Sequence, residues 1–235
     1  MLVHGVRAIT GRVVLENLFT TAGILPKVGP DWDAEARMLA RLGSGQSNRV
    51  CGVDEVGRGP LAGPVVAAAV ILDAAKIPVG LNDSKKLSEK KREILFDRIY
   101  EAAIAVSIAE ASVAEIDEIN ILQASLLAMR RAVSGLAPQA TAALVDGNKD
   151  PDLSMPTETL VKGDSRSLNI AAASIIAKVF RDRMMKKYAE EFPEYGWDKN
   201  AGYGVPKHMA ALKLVGTTPL HRRSFAPIRD ILGED

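Results

Sequence analysis

One cysteine among 235 residues, Cys51, has no partner to bond with. That excludes a disulfide framework and a cysteine zinc site, and it fits a reducing, cytoplasmic setting. Histidine is nearly as scarce. His4, His208 and His221 are widely spread along the chain, so a histidine-rich metal centre is not expected. Any metal here should be a hard cation held by oxygen. Long apolar runs are missing as well: nothing approaches the ~18 residues that span a bilayer. The N-terminus lacks the charged start and compact apolar block of a secretory signal. Net charge is only +1, so bulk polarity announces no nucleic-acid partner.

What is present is ordinary in bulk and informative in detail. A chain that is 47% hydrophobic and 25% charged can build one sizeable core, and its length favours one domain with appendages over two. Positive charge is clustered. Lys85, Lys86, Lys90, Lys91 and Arg92 lie close together, as do Lys178, Arg181, Arg183, Lys186 and Lys187, and then His221, Arg222 and Arg223. Each group alone reads as a solvated helix face. Three groups flanking an acidic site would instead describe a surface that holds a polyanion near a metal.

Residues 1–30 have poor periodicity and few acids. They read as a loosely ordered extension, or as the product of an upstream start codon. The stretch DWDAEARMLARL (31–42) predicts a short helix capped by Asp31 or Asp33, and residues 43–47 a flexible link. Residues 50–53 read as a strand running into Asp54-Glu55, and 64–72 as a second, strongly apolar strand. The polar loop NDSKK (82–86) precedes a helix over 88–103, with Ser88 as cap and Ile94, Leu95, Ile99 and Ala102 inward. Ile104, Val106 and Ile108 alternate like a half-buried strand. Ser112 and Glu115 fit a capping box opening a helical region that ends near Gly135. Strands at 142–145 and 157–161 end in Asp146-Gly147 and Lys162-Gly163-Asp164. A helix over 167–192 carries Ile176, Phe180, Met184 and Tyr188 on one stripe, and shorter helical pieces follow Pro193. Strands mixed with helices, without heptads or repeats, predict an α/β fold with a mixed sheet.

The acids fall at strand ends in three separated places, where open α/β sheets gather their sites. Singly, each has a plain reading: Asp146-Gly147 as a turn pair, Asp164 as a helix-start residue satisfied by amides. Jointly, four carboxylates at adjacent strand ends repel and raise one another's pKa unless cations neutralise them. Mg²⁺ or Mn²⁺ with octahedral oxygen coordination suits such a set. Two such ions ~3.5–4 Å apart can activate a water and stabilise a leaving oxygen. Successive strand side chains point to opposite faces, so Asp54 and Glu55 serve one ion only if the strand distorts or ends between them. The glycine loop Gly57-Arg58-Gly59-Pro60-Leu61-Ala62-Gly63 is not a Walker loop, since no Gly-Lys-Ser/Thr follows. Nor is it a dinucleotide fingerprint, because a strand follows where a helix is required. A hairpin turn and a ligand-contacting turn both remain open for it.

The blocks VDEVGRGPLAGPV, NDSKKLSEKKRE, VDGN, VKGDSRSLNIAAASIIAKVFRD, GYGVPKH and HRRSFAP, in that order over about residues 49–230, closely resemble bacterial ribonuclease HII, the type 2 ribonuclease H family. The resemblance implies a ribonuclease H-like mixed sheet flanked by helices over residues 49–192, with a small helical C-terminal part of the same domain over 193–235. Residues 1–48 are then an N-terminal extension. It further implies an endonuclease that hydrolyses the RNA strand of RNA–DNA hybrids and nicks 5′ to ribonucleotides embedded in duplex DNA, leaving a 3′-hydroxyl and a 5′-phosphate. Mn²⁺ or Mg²⁺ is the implied cofactor, ribonucleotide excision repair the implied setting, and a monomer the expected state. Carried over residue by residue, the acidic tetrad falls on Asp54, Glu55, Asp146 and Asp164, as catalytic and metal-holding residues. Gly57, Arg58, Gly59 and Tyr203 fall at the ribose, and Asn82, Ser84 and Lys85 at the phosphates. Asp182, ~4–5 turns into its helix, is assigned a structural role.

These assignments make physical sense. RNA is told from DNA by its 2′-hydroxyl, best read by backbone groups that approach closely, and Gly-x-Gly permits that approach. Without the resemblance, Tyr203 reads as a core tyrosine. Val56 and Val205 depart mildly from the family pattern, residues 1–30 match nothing in it, and no clamp-binding tail is evident. Two other classes compete: a non-catalytic hybrid-binding module, marked by EDTA-insensitive binding without nicking, and a nuclease of the same fold with no ribose preference.

Overall fold

Two adjacent strands, β1 (Val50–Val56) and β2 (Val65–Leu72), are the spine of the fold. The structure is a computed structural model and describes residues 29–45 and 47–233. Most of the extension expected over residues 1–30 lies outside the described residues. Every residue of β2 is buried, as a strand covered on both faces requires. Its alternation sorts the core into two layers. Val65, Ala67, Ala69 and Ile71 join one cluster, and Val66, Ala68, Val70 and Leu72 the other.

The remaining strands are β3 (Ala103–Ala111), β4 (Ala142–Asp146) and β5 (Thr157–Leu160), and the sheet runs β3-β2-β1-β4-β5. The pairs β1/β2 and β2/β3 are antiparallel, while β1/β4 and β4/β5 are parallel. This is the expected mixed sheet. The main helices are α1 (Asp33–Leu42), α2 (Glu89–Ala102), α3 (Val113–Ser134) and α4 (Leu168–Glu191). Helix α3 covers one face through Ile116, Ala124, Ala128 and Met129, and α2 and α4 cover the other through Leu95, Ile99, Ile175 and Ile176. Helix α1 buries Ala34 and Met38 against Val50, Leu144 and Ile170. Three short helices, α5 (Trp197–Asn200), α6 (Pro206–Val215) and α7 (Ala226–Leu232), pack with Leu61, Ala62 and Met185 in a separate apolar cluster.

Local chemistry explains the element ends. The capping box at Ser112 and Glu115 forms in both directions, and Ser88 and Ser167 accept from Lys91 N and Ile170 N. The helical region expected to end near Gly135 does so, with one interruption at Asn120, where φ is 67°. Its Oδ1 accepts from the amides of Leu122 and Gln123 and so caps the second half anew. On α2, Ile94 is 43% exposed rather than inward. A helix packed on one side buries only a stripe, and Leu95 and Ile99 fill it.

The placement of α4 matters most for function. A side chain at Gly52 would collide with the Asn169 carbonyl and the Ile170 amide, so glycine lets the start of α4 lie directly on β1. Buried Asn169 ties the layers together: its Oδ1 accepts from Leu72 N at 3.0 Å and its Nδ2 donates to Val50 O at 2.9 Å. Five residues further along the helix, a rise of about 7.5 Å, matches two further along the strand, about 6.6 Å. Ser174 thereby arrives beside Asp54.

Candidate active site

Asp54 ends the buried run of β1, half-buried Glu55 follows it, and Asp146 is the last residue of β4. The parallel pairing of these strands runs to Val53 opposite Val145, so Asp54 and Asp146 are the next residue on each. Asp164 comes from a single 3₁₀ turn, Gly163–Ser165, just before α4. That turn is fastened to β4, because the Gly163 amide donates to Asp146 Oδ1 at 2.6 Å. Three segments far apart in sequence therefore bring their acids together.

The electrostatics record this convergence. Burial, then the Glu55 and Asp146 charges, hold Asp54 well above the usual carboxylate range, against hydrogen bonds from Ser174 and its neighbour's amide. Burial also raises Glu55, with Arg58 working against the shift and Asp146 adding to it. Asp164 is pushed up to about 6 by burial, then by the charges of Asp83 and Asp146, while Lys85 opposes. Asp146 thus bears on each of the other three carboxylates. Between Glu55, Asp146 and α3 lies a cleft of about 110 Å³, lined also by Arg58, Leu122 and Ser125.

One condition set by the sequence is not met, and one expected contact needs correction. Strand β1 neither distorts nor ends between Asp54 and Glu55, because pairing with β2 continues in regular register through Val56. The two side chains therefore depart to opposite faces, Asp54 toward α4 and Glu55 toward the cleft beside α3. Ser84, expected at phosphate, is 3% exposed and turned inward, its hydroxyl 2.9 Å from that of Ser174. With Asp54 ionised, Ser174 donates to the carboxylate and Ser84 donates to Ser174. Asn82 is half-buried and Lys85 exposed. Their neighbour Asp83, to which the sequence alone assigns no role, caps the loop through Lys85 N and also hydrogen-bonds Asp164.

The basic groups divide in a way their spacing does not reveal. Lys85, Lys86, Lys90, Lys91 and Lys187 are exposed. Arg92 instead braces the NDSKK loop, donating to Ser84 O and Leu87 O, and together with Lys178 it holds Asp182, whose role is structural as expected. Arg181, Arg222 and His221 are 1%, 0% and 1% exposed and cannot form a polyanion surface. The distant histidines also meet. His208 and His221 approach Nε2 to Nε2 at 3.0 Å among Tyr195 and Trp197. The Thr218 amide donates to His221 Nδ1, which leaves Nε2 of His221 to donate to His208. His208 Nδ1 then donates to the Tyr203 carbonyl at 2.9 Å. No metal ligand role is needed to explain this satisfied pair.

Residues 57–64 connect antiparallel β1 and β2. Gly57 has φ of 98°, and a side chain on it would strike the Arg181 guanidinium, so this glycine serves the packing beneath the loop. Gly59 faces the other way: a methyl placed there would lie 3.2 Å from the ring of Tyr203. Tyr203 is 48% exposed, not a core tyrosine. Leu61 N donates to Gly202 O at 2.8 Å and stitches the two segments together. Arg58 reaches back to Glu55 at 3.4 Å.

The donor set is oxygen only, mutually repelling and at strand ends, which fits hard divalent cations. Among the described residues no three acidic, imidazole or thiol groups form a ready-made cage, so the carboxylates share a field rather than a closed ligand sphere. A mixed five-stranded sheet with helices on both faces, carrying this acidic cluster, defines a metal-dependent nuclease of the ribonuclease H-like class. Residues 51–228 match the model of the Ribonuclease HII family. Ribonuclease HII of Magnetococcus marinus is 55% identical over 211 residues, covering 87% of this chain and 96% of that protein. The crystal structure of the ribonuclease H2 from Pyrococcus horikoshii OT3 is 29% identical with a TM-score of 0.67, covering 78% of this chain and 96% of that one. Bst-RNase HIII in complex with Mn²⁺ shares the fold at 21% identity and a TM-score of 0.62, over 83% and 72% of the two chains. This chain belongs to the ribonuclease HII family.

Proposed function

We propose that the chain cleaves the phosphodiester 5′ to a ribonucleotide, in the RNA strand of RNA–DNA hybrids and at single ribonucleotides within duplex DNA, using Asp54, Glu55, Asp146 and Asp164. The observation that carries this reading is the field around Asp146, which reaches all three of the other carboxylates from separate segments. Two Mg²⁺ or Mn²⁺ ions on these oxygens would supply an activated water and neutralise charge on the leaving 3′-oxygen. The structure of Bst-RNase HIII in complex with Mn²⁺ is consistent with a divalent ion on such a fold.

The chain's own residues do the rest. Ser174, backed by Ser84, fixes the Asp54 carboxylate, and the Gly163 amide fixes that of Asp146. Lys85, beside Asp164, and Asn82 meet the phosphates, with the salt dependence such contacts carry. Arg58 and the exposed Gly59 backbone meet the ribose from the loop, and the Tyr203 ring beside Gly59 meets it from the adjoining segment, while buried Gly57 supports the loop from beneath. Among the described residues no helix is long and apolar enough to cross a membrane. We take the protein to act as a cytoplasmic monomer, which sedimentation would check.

The test is a DNA duplex with one embedded ribonucleotide, incubated with and without Mg²⁺. Nicking 5′ to the ribonucleotide that stops in EDTA is the expected result. Equal cutting of an all-DNA duplex, or hybrid binding with no nicking, would contradict the reading.

A further inference from the structure

Arg222 and Arg181 lie fully buried beneath the glycine loop, and among the described residues neither makes an ion pair. A buried charge without a counter-ion is costly unless hydrogen bonds replace water. Here every guanidinium nitrogen donates to a backbone carbonyl. Arg222 donates from Nε to Gly63 O at 2.9 Å, from Nη1 to Arg58 O at 3.0 Å and from Nη2 to Gly57 O at 2.5 Å. Arg181 donates from Nε to Pro64 O at 2.9 Å, from Nη2 to Ala62 O at 3.0 Å and from Nη1 to Ala201 O at 2.9 Å. Five of these six carbonyls belong to residues 57–64, and the sixth lies two residues before Tyr203.

The consequence follows from peptide geometry. Each peptide unit is planar and trans, so its carbonyl and its N–H point in opposite directions. When Arg222 draws the Gly57 and Arg58 carbonyls inward, the same two peptides turn the N–H groups of Arg58 and Gly59 outward. Neither amide donates to any described residue. Arg58 and Gly59 are exposed, and Gly59 lies against the Tyr203 ring. Two adjacent free donors are thus held open beside an aromatic ring. Arg181 spans both walls of this slot, through Ala62 and Ala201.

We propose that Arg222, assisted by Arg181, is a specificity-determining positioning residue: its planar fork locks the Gly57 and Arg58 carbonyls inward, so that the Arg58 and Gly59 amides stand ready for an oxygen of the substrate sugar that DNA lacks. The inference rests on the reading of this loop as the ribose contact. Lysine keeps the charge but cannot hold two neighbouring carbonyls in one plane, so Arg222→Lys separates the fork from the charge. A site with donors fixed for a hydroxyl gains from that hydroxyl and pays for its absence, which is the basis of discrimination.

The experiment measures binding by fluorescence anisotropy in an Asp146→Asn background, with Mg²⁺, to a DNA duplex carrying one ribonucleotide and to the same duplex in all-DNA form. Circular dichroism melting accompanies each variant. The expected result is that Arg222→Lys cuts the ribonucleotide-over-DNA affinity ratio by about tenfold, the scale of one lost hydrogen-bond pair, and leaves all-DNA affinity nearly unchanged. Arg181→Lys acts the same way, more weakly. An unchanged ratio in a folded Arg222→Lys protein would overturn the proposal, and so would an equal loss on both duplexes. If both variants lose their cooperative unfolding transition, the arginines hold the domain rather than the loop, and the proposal is also overturned. Should the background protein itself bind both duplexes alike, the loop is not a ribose contact and the reading beneath the inference fails with it.

Discussion

The strand-end carboxylates and the arginines beneath the glycine loop are both charged groups withdrawn from water, and the fold satisfies them differently. Under the loop, burial lowers Arg181 to about 10 and Arg222 to about 9, yet both stay protonated at neutral pH and every guanidinium group has a carbonyl. At the strand ends, Asp54, Glu55 and Asp164 are all raised, with Asp146 adding to each. A guanidinium can be completed by backbone dipoles, because its five donors match carbonyls the fold must satisfy anyway. Crowded carboxylates cannot be completed that way, since each hydrogen bond leaves the like charges facing one another. The first arrangement is finished by the fold itself; the second leaves like charges that a divalent cation would neutralise.

The comparison can be broken most sharply at its acidic hub. Asp146→Asn should lower cleavage of a ribonucleotide-containing duplex on the order of 10³-fold or more, while hybrid binding persists; full turnover would remove the hub from the mechanism. Next in size is Ser174→Ala. It strips Asp54 of its side-chain donor without touching charge, so kcat should fall by about 10–100-fold with KM little changed. A loss confined to KM would place Ser174 with substrate instead. Arg222→Lys follows, with the roughly tenfold loss of ribose discrimination argued above.

The smallest effect concerns pH, and its sign differs between groups. Asp164 has a native pKa raised to about 6 from an ordinary 3.8, so the native state holds its proton more firmly. Its contribution favours folding below 3.8 and is lost as pH rises through 6. Metal-free Asp164→Asn should therefore be more stable than the parent at pH 7, by about 1 kcal/mol once solvent screening is allowed for, and the gain should vanish near pH 4. His221 runs the other way. Burial, then His208, lower it from 6.5 to about 4, so its stabilising contribution is full above 6.5 and disappears as pH falls toward 4. Thermal melts of both proteins from pH 4 to 7 measure the two limbs. A gain for Asp164→Asn that is constant across that range would show that its charge is not the cause.

Much of this arrangement can be read in the chain. The runs ending in Asp54-Glu55, Asp146 and Asp164 lie at strand ends or just beyond, and Ser88 and Ser112 cap as their spacing suggests. These features are local, and local rules govern them. The basic residues mislead because clustered charge ordinarily means solvent, and nothing nearby in sequence shows that Arg222 will meet carbonyls some 160 positions earlier. Ser84 looks like a phosphate contact because it sits in a polar loop, yet its partner Ser174 lies 90 positions away. Asp83 and the His208–His221 pair were missed for the same reason: each is defined by a neighbour that only the fold supplies.

Thermal unfolding with and without Mg²⁺ probes the acidic cluster most directly. Binding to the native state alone stabilises by mass action. If divalent ions relieve the repulsion centred on Asp146, millimolar Mg²⁺ should raise the melting temperature of the parent and of Arg222→Lys by several degrees, about 2–4 °C per kcal/mol for a chain of this size, and leave Asp146→Asn nearly unmoved. An equal rise in Asp146→Asn, or no rise in the parent, would contradict the account.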